Sequence, residues 1–568
     1  MNDRRPLIAI ALIMVIAFIP GLLRKPPPVN PADSTAMRSP IDSVGTPPPI
    51  QSPDSTAPVA QVQPTLADSA PLAQLVAEDT ILVRSSLYEY RISTVGGRII
   101  GSRFLKYESM FAGDSSPGGK RGPLELIADG ASMLDTRIAM GRDTVRLDAT
   151  VFSASASELD VTGGPATLVL TGSVRGQPAE LRYTFGPDDY QIDMQGRIGG
   201  VPSTGATLLV GLGNGFRNTE KNPAENHRES GIVTDRDGTT LTRYRSLTPL
   251  ETTVQTGPFD WVAVKSKYFV GGFFATDSSG VSGISAVTVR ADDAAPKSPE
   301  RAITRVTMPL ASTGAWNTKL YLGPMEYDRL SAIGHNFDDV NPYGWKGLRT
   351  IIRPFAVAIR GAFIWMHTAL GLHYGFAIIF FGVFIRMLLW PLNHKAMRSM
   401  TEMQAIQPEM QELQAKYKEQ PEKLQAEMLK LYREHKVNPL SGCWPMLLPY
   451  PFLVAVFFVL QSTIELRGVS FLWMPDLSLP DPLYIIPVFM VLSMFALSKL
   501  GQMGIAPNPQ AKMMMYVMPA VFGFLFLNFA SGLNLYYAVQ NIAAAPQQYL
   551  ISKQRVRILA EKQKKRKT

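Results

Sequence analysis

The sequence predicts an α-helical polytopic membrane protein, with six spans of which five form one helical core, joined to a large exported all-β sandwich domain. Three observations carry this expectation. Long apolar runs fill residues 346–552. Residues 24–345 are polar, rich in Gly, Pro, Ser, Thr and Asp, and alternate in hydropathy with period two from about residue 75. A separate apolar run, Leu7–Leu23, follows Arg4 and Arg5. A chain of 568 residues has room for two or more folded units. Its single cysteine, Cys443, excludes an intramolecular disulfide, so an exported domain must be held by its own core.

Residues 1–23 read as an uncleaved signal-anchor span. The run ends Phe18-Ile19-Pro20-Gly21 without a small-x-small cleavage site; the alternative is a signal peptide with a poor site. The preceding arginines put the N-terminus in the cytoplasm. Residues 24–74 are proline-rich, with loosely repeated Asp-Ser-Thr-Ala phrases, and cannot bury enough apolar surface to offset ordering entropy. They read as an extended tether. Segments such as 80–84, 88–92, 166–170 and 284–289 alternate like strands between turn residues, which makes 75–330 a β-sandwich.

That domain offers no catalytic constellation. Gly113–Arg121 has the wrong spacing for a phosphate loop and lacks a Ser or Thr after Lys120. The histidines at 227, 335, 367, 373, 394 and 435 make no metal-ligand pattern with Cys443, and no cofactor is expected.

Residues 331–374 read as a connector ending in an amphipathic helix that lies in the membrane interface, since 346–371 mixes Lys346, Arg349, Arg353, Arg360 and His367 with apolar residues. Residues 375–552 hold the core, with spans near 375–391, 443–464, 482–499, 512–529 and 533–551. Alternation from a cytoplasmic N-terminus puts 24–345 outside and 392–440 inside. The inside segment carries Lys395, Arg398, Lys416, Lys418, Lys423, Lys430, Arg433 and Lys436. The outside loop 465–481 carries Arg467 beside Glu465, Asp476 and Asp481. Six spans return the C-terminus to the cytoplasm.

Within 392–440, Met400, Met403, Ile406, Met410, Leu413 and Tyr417 recur at helical spacing, and Leu424, Met428 and Leu431 continue after Gln420-Pro421. This predicts a helical hairpin whose Met-rich face is a mutual seam or an adaptable surface for client chains. The basic tail 553–568 reads equally as a lipid-headgroup contact, a ribosomal RNA contact or an orientation signal.

Arg386 is the chemically telling residue. It lies within the apolar run Gly375–Pro391, and no Asp or Glu sits deep in another span. An arginine at a span's centre costs roughly 2.5–3.5 kcal/mol on insertion scales, so it seeks an acid or a wet cavity; the plain alternative is snorkelling to the headgroups. Asn534, Tyr536, Tyr537, Gln540 and Asn541 stud the last span and either join helices or line that cavity. An anion transporter binding solute at Arg386 is the competing function, although no inverted repeat is visible. Ser498-Lys499 are adjacent rather than on one helical face, a weak hydrolase signal. A third reading, an assembly factor acting through its β domain, is separated by deleting 75–325.

Several motifs together resemble the YidC/Oxa/Alb family of membrane protein insertases. They are Asn438-Pro439-Leu440-Ser441-Gly442-Cys443-Trp444-Pro445, Ile385-Arg386 followed by Trp390-Pro391-Leu392, Met403–Pro408, and Ser531–Tyr537. In the exported part, Gly96-Gly97-Arg98-Ile99, Trp261–Lys265 and Tyr321–Pro324 resemble the Gram-negative type. The resemblance implies a non-enzymatic insertase and chaperone of the bacterial inner membrane, with 24–345 periplasmic. It implies a hydrophilic groove holding Arg386, with Gly382, Tyr536 and Tyr537 beside it. A hydrophobic slide would include Leu447, Tyr450, Pro451, Val521 and Leu525. The implied partners are nascent membrane proteins and the Sec translocon (SecYEG and SecDF), with the ribosome and anionic lipids meeting the basic tail. Gly382 departs from members with Thr there, and Leu448 replaces a usual Gln.

Overall fold

In the computed structural model, which describes residues 78–115, 121–202, 206–275, 284–291, 301–344, 347–391, 406–418, 420–435, 450–503 and 509–567, the alternating segments form strands between Thr80 and Pro324 in three sheets. The expected span 1–23, the tether 24–74, Lys346, His394, Met400, Met403, Cys443 and Leu447 lie outside the described residues.

The largest sheet has nine strands, in the order 239–243, 231–235, 261–265, 269–275, 315–324, 191–198, 177–185, 166–174 and 153–154. Several of its strands alternate as the sequence does; Gln191–Ile198 buries every second residue. Trp261–Lys265, third from one edge, is buried at every position, because both faces are covered. One cover is Phe337, whose ring meets Trp261 edge-on at 4.9 Å and Phe274 at 4.8 Å. Trp261 Nε1 donates to the His335 carbonyl at 2.9 Å. A five-stranded sheet and a six-stranded sheet complete the domain around one apolar core. Gly96 and Gly97 both adopt positive φ, +79° and +64°. A Cβ at Gly96 would lie 2.7 Å from the Asp148 carbonyl oxygen, which explains why this turn takes glycine.

Lys265, the last residue of that strand, is buried and donates to Asn341 Oδ1 at 3.0 Å. Burial of the ammonium pushes its pKa down from 10.5 to about 8. The unfolded chain keeps the higher value and so binds more protons between those limits. This group's contribution to stability therefore rises with pH across that window and is flat below about 8. Lys265→Met is expected to flatten the rise, seen by comparing melting temperatures of the two proteins at about pH 7 and about pH 10.

The helices begin with α1 (Pro223–Glu229) and α2 (Tyr327–Ile333) within or beside the β domain. They continue with α3 (Arg349–Leu370), α4 (Tyr374–Leu388), α5 (Gln407–Lys416), α6 (Pro421–Glu434), α7 (Tyr450–Ser462), α8 (Ile485–Gly501), α9 (Pro509–Phe526) and α10 (Ser531–Lys567). Among the described residues, no helix is long and apolar enough to cross a membrane. Helices α3, α4, α7, α8, α9 and α10 contribute to a second apolar core. In the hairpin, Met410, Leu413 and Tyr417 of the first arm and Leu424, Met428 and Leu431 of the second are partly or fully buried, and Tyr432 reaches Met410 Sδ at 3.8 Å. This is the mutual seam.

The arginines of α3 face protein. Arg349 pairs with Asp339 at 2.8 Å, and Arg353 with Asp338 at 2.6 Å and Asp339 at 3.1 Å. Arg360 is buried against Glu465 and over the Tyr327 ring. The exposed residues of α3 include the apolar Ile351, Phe355, Trp365 and Leu370.

Two residues after Glu465, Arg467 closes the junction between the helices and the β domain. Its Nε donates to both carboxylate oxygens of Glu220 at 3.0 Å, Nη1 to the Glu108 carbonyl at 3.0 Å and Nη2 to the Thr219 carbonyl at 3.2 Å. The Arg467 side chain is 2% exposed and that of Glu220 7%.

Candidate functional site

Helix α4 starts after His373, whose ring nitrogen accepts from the Gly375 N–H at 3.2 Å. From there the apolar sequence carries Gly382 and Arg386 to one face, four residues apart. That face meets α10. A Cβ on Gly382 would lie 3.1 Å from Val539 Cγ1, so glycine permits this close approach. The Gly382 carbonyl accepts from Gln540 Nε2 at 2.8 Å, and the same nitrogen lies 3.2 Å from the Tyr536 hydroxyl.

Arg386 is partly exposed. Its Nε is buried without a hydrogen-bond partner, and no carboxylate pairs with it among the described residues. Its electrostatic neighbour is the fully buried Tyr536. Gly382, four residues before it on α4, and Tyr536 thus lie beside Arg386. Tyr537 turns instead to the end of α9, where its ring meets Phe526 edge-on at 5.3 Å. From Phe526 the rings continue to Phe529 at 5.0 Å, and from Phe529 to Phe457 of α7 at 5.6 Å. This aromatic path joins α10, α9 and α7. Of the expected slide, Tyr450 (38% exposed), Val521 (54%) and Leu525 (39%) present apolar surface, and Pro451 is half-buried.

The other polar residues of α10 join helices. Asn534 donates to the Phe526 carbonyl at 3.0 Å, Asn541 to Ser493 Oγ at 3.1 Å and Gln547 to the Trp390 carbonyl at 3.0 Å. The basic tail continues α10 without a break, and Arg555 in it is buried, donating to the Gly501 carbonyl at 2.7 Å. It caps the C-terminal end of α8. Sequence reasoning missed this, as it missed the partners of Arg360 and Arg467. The visible signal was Glu465-Leu466-Arg467, an acid two positions from the single basic residue of the loop 465–481.

Comparison with known proteins agrees with the two-part organisation. The family model described as YidC periplasmic domain matches residues 80–358, and the one described as 60Kd inner membrane protein matches 365–558. The chain is 33% identical to a membrane protein insertase YidC from Geobacter sp. (strain M21), covering 84% of this chain and 86% of that protein. It is 29% identical to the membrane protein insertase YidC of Syntrophus aciditrophicus, covering 97% of this chain and all of that protein. A crystal structure of an active YidC insertase with its first transmembrane domain resolved matches 83% of this chain and 94% of its own at 17% identity and a TM-score of 0.33. On the strength of these sequence matches, the chain belongs to the YidC family of membrane protein insertases.

Proposed function

We propose that this protein inserts hydrophobic segments of nascent membrane proteins into the bacterial inner membrane and helps them fold and assemble, alone or beside the Sec translocon. In this reading it has six spans, cytoplasmic termini and a periplasmic β domain. Helix α3 lies on the membrane with its apolar residues toward lipid and its arginines toward the β domain. Arg386 faces a wet groove that opens to the cytoplasm, with Gly382, Tyr536 and Tyr537 packed behind it. Leu447, Tyr450, Pro451, Val521 and Leu525 are the apolar slide. The tail beyond Arg555 meets anionic lipids or the ribosome.

The observation that carries this reading is the guanidinium of Arg386, set in an apolar helix with no resident counter-charge among the described residues. A client span of about 20 Leu-like residues gains roughly 6–12 kcal/mol on entering lipid, which is enough to drive insertion. The barrier is the polar tail that must cross first, each carboxylate of which costs several kcal/mol in hydrocarbon. Groove water and Arg386 shorten the dry path and pair the acid transiently. The membrane potential adds about 2.3 kcal/mol per charge per 100 mV toward the positive outer side. No nucleotide is required.

Arg386→Ala in proteoliposomes is expected to slow insertion of a single-span client with an acidic tail by about tenfold, equivalent to about 1.4 kcal/mol of barrier. Arg386→Lys keeps most of the rate, and a client with a neutral tail changes little. Unchanged insertion of the acidic client in Arg386→Ala contradicts the electrostatic step.

A further inference from the structure

The segment Gly468–Ile485, after Arg467 and before the body of α8, is an extended connection whose only charged residues are Asp476 and Asp481, and both are buried. The residues it exposes are Ser470, Leu472, Trp473, Pro475, Pro482, Leu483, Tyr484 and Ile485, apolar or aromatic apart from one serine. Leu472 is 68% exposed and Tyr484 52%. A loop in water ordinarily presents polar and charged side chains.

This exposure is built in. Phe471 and Met474 exchange both backbone hydrogen bonds, at 2.8 and 3.0 Å, around the tip formed by Leu472 and Trp473. The Asp481 carboxylate accepts from Trp473 Nε1 at 3.2 Å and from the backbone N–H groups of Leu483 at 3.0 Å and Ile486 at 2.8 Å. It therefore binds the tip to the start of α8. Ser531 and Gly532 of α10 donate to the Leu479 and Leu477 carbonyls at 2.7 and 2.9 Å. Arg467 fixes the other end to the β domain. Leu472 and Tyr484 both hold left-handed backbone, φ +54° and +55°, a conformation that L residues with side chains adopt only where surrounding structure enforces it. In both, the enforced geometry coincides with an apolar or aromatic side chain turned outward.

We propose that this loop is a membrane-interface anchor, with Leu472 and Leu483 entering the acyl boundary and Trp473 and Tyr484 lying at headgroup level of the periplasmic leaflet. The inference rests on the reading of α8 as a span. Three features select lipid as the occupant. The apolar surface runs without a break from Leu483 and Ile485 into Val488, Phe489 and Leu492, exposed residues of α8. Trp and Tyr have the amphipathic rings that settle at the membrane–water boundary. The exposed side chains include no charge to recognise a polar partner. The anchor sets the height of the Arg467 junction, and so of the β domain, above the bilayer.

The test places a polarity-sensitive fluorophore on Leu472→Cys in a Cys443→Ser background of the full chain, reconstituted in phosphatidylcholine vesicles containing brominated lipids. Labels at Leu492→Cys on α8 and at Ile303→Cys, an exposed position of the β domain, are the references. The expected result is blue-shifted emission at 472, quenched more by lipids brominated near the headgroup than by those brominated deep in the chain. Water-like emission at 472, matching 303, overturns the proposal. Blue-shifted emission that no brominated lipid quenches also overturns it, because protein then covers the loop. Quenching at 492 without quenching at 472 rejects the anchor alone; absence of quenching at both rejects the span as well.

Discussion

Arg467→Ala is expected to destabilise the junction of the β domain with the helices by about 3–5 kcal/mol, because it leaves a buried carboxylate without its partner. Glu220 would lose both 3.0 Å hydrogen bonds, and the Glu108 and Thr219 carbonyls would lose a donor each. The size follows from burial, since an exposed pair of the same geometry contributes about 0–1 kcal/mol. The double substitution Arg467→Met with Glu220→Leu removes both charges together. It is expected to cost much less than Arg467→Ala, because buried pairs replaced by apolar groups of similar volume are often close to neutral. Thermal unfolding of the purified protein, followed through the β domain's tryptophans, compares the three proteins.

Trp261→Ala is expected to cost the β domain about 3–5 kcal/mol, as for other large aromatic-to-alanine changes in packed cores. Trp261 is fully buried in an interior strand of the nine-stranded sheet. Its loss empties the space against Phe337 and leaves the His335 carbonyl without the indole donor. Trp261→Phe keeps most of the ring contact and loses mainly the hydrogen bond, for which about 0.5–1.5 kcal/mol is expected. Urea unfolding curves of the variants separate the two contributions.

The parts legible from sequence are those written in local pattern. Alternation located the strands, and apolar runs located α4, α7, α8 and α9 to within a few residues at most described ends. Arg386 stood out because a charge in an apolar helix has few bland explanations. What escaped was long-range pairing. Nothing local says that Arg467 meets Glu220, 247 positions away, or that Arg360 meets Glu465, 105 positions away. The mixture of arginines and apolar residues in α3 suited an amphipathic helix in the membrane interface, and nothing in it pointed to Asp338, Asp339 and Glu465 as the arginines' partners. Arg555 looked like one more residue of a basic tail, because a helix-capping role depends on where Gly501 ends its own helix. The departure at Gly382 was visible, but its consequence required Val539 and Gln540 to be placed against it.

The central claim is that Arg386 stands in a hydrated groove that clients enter. A cysteine at 386, in a protein whose Cys443 is replaced by serine, reports this directly in sealed vesicles of known orientation. The account predicts modification by a membrane-impermeant maleimide from the cytoplasmic side, and protection when a stalled client segment is bound. Failure to react in the empty protein, with normal reaction after denaturation, would place the residue in a dry packing site and contradict the account.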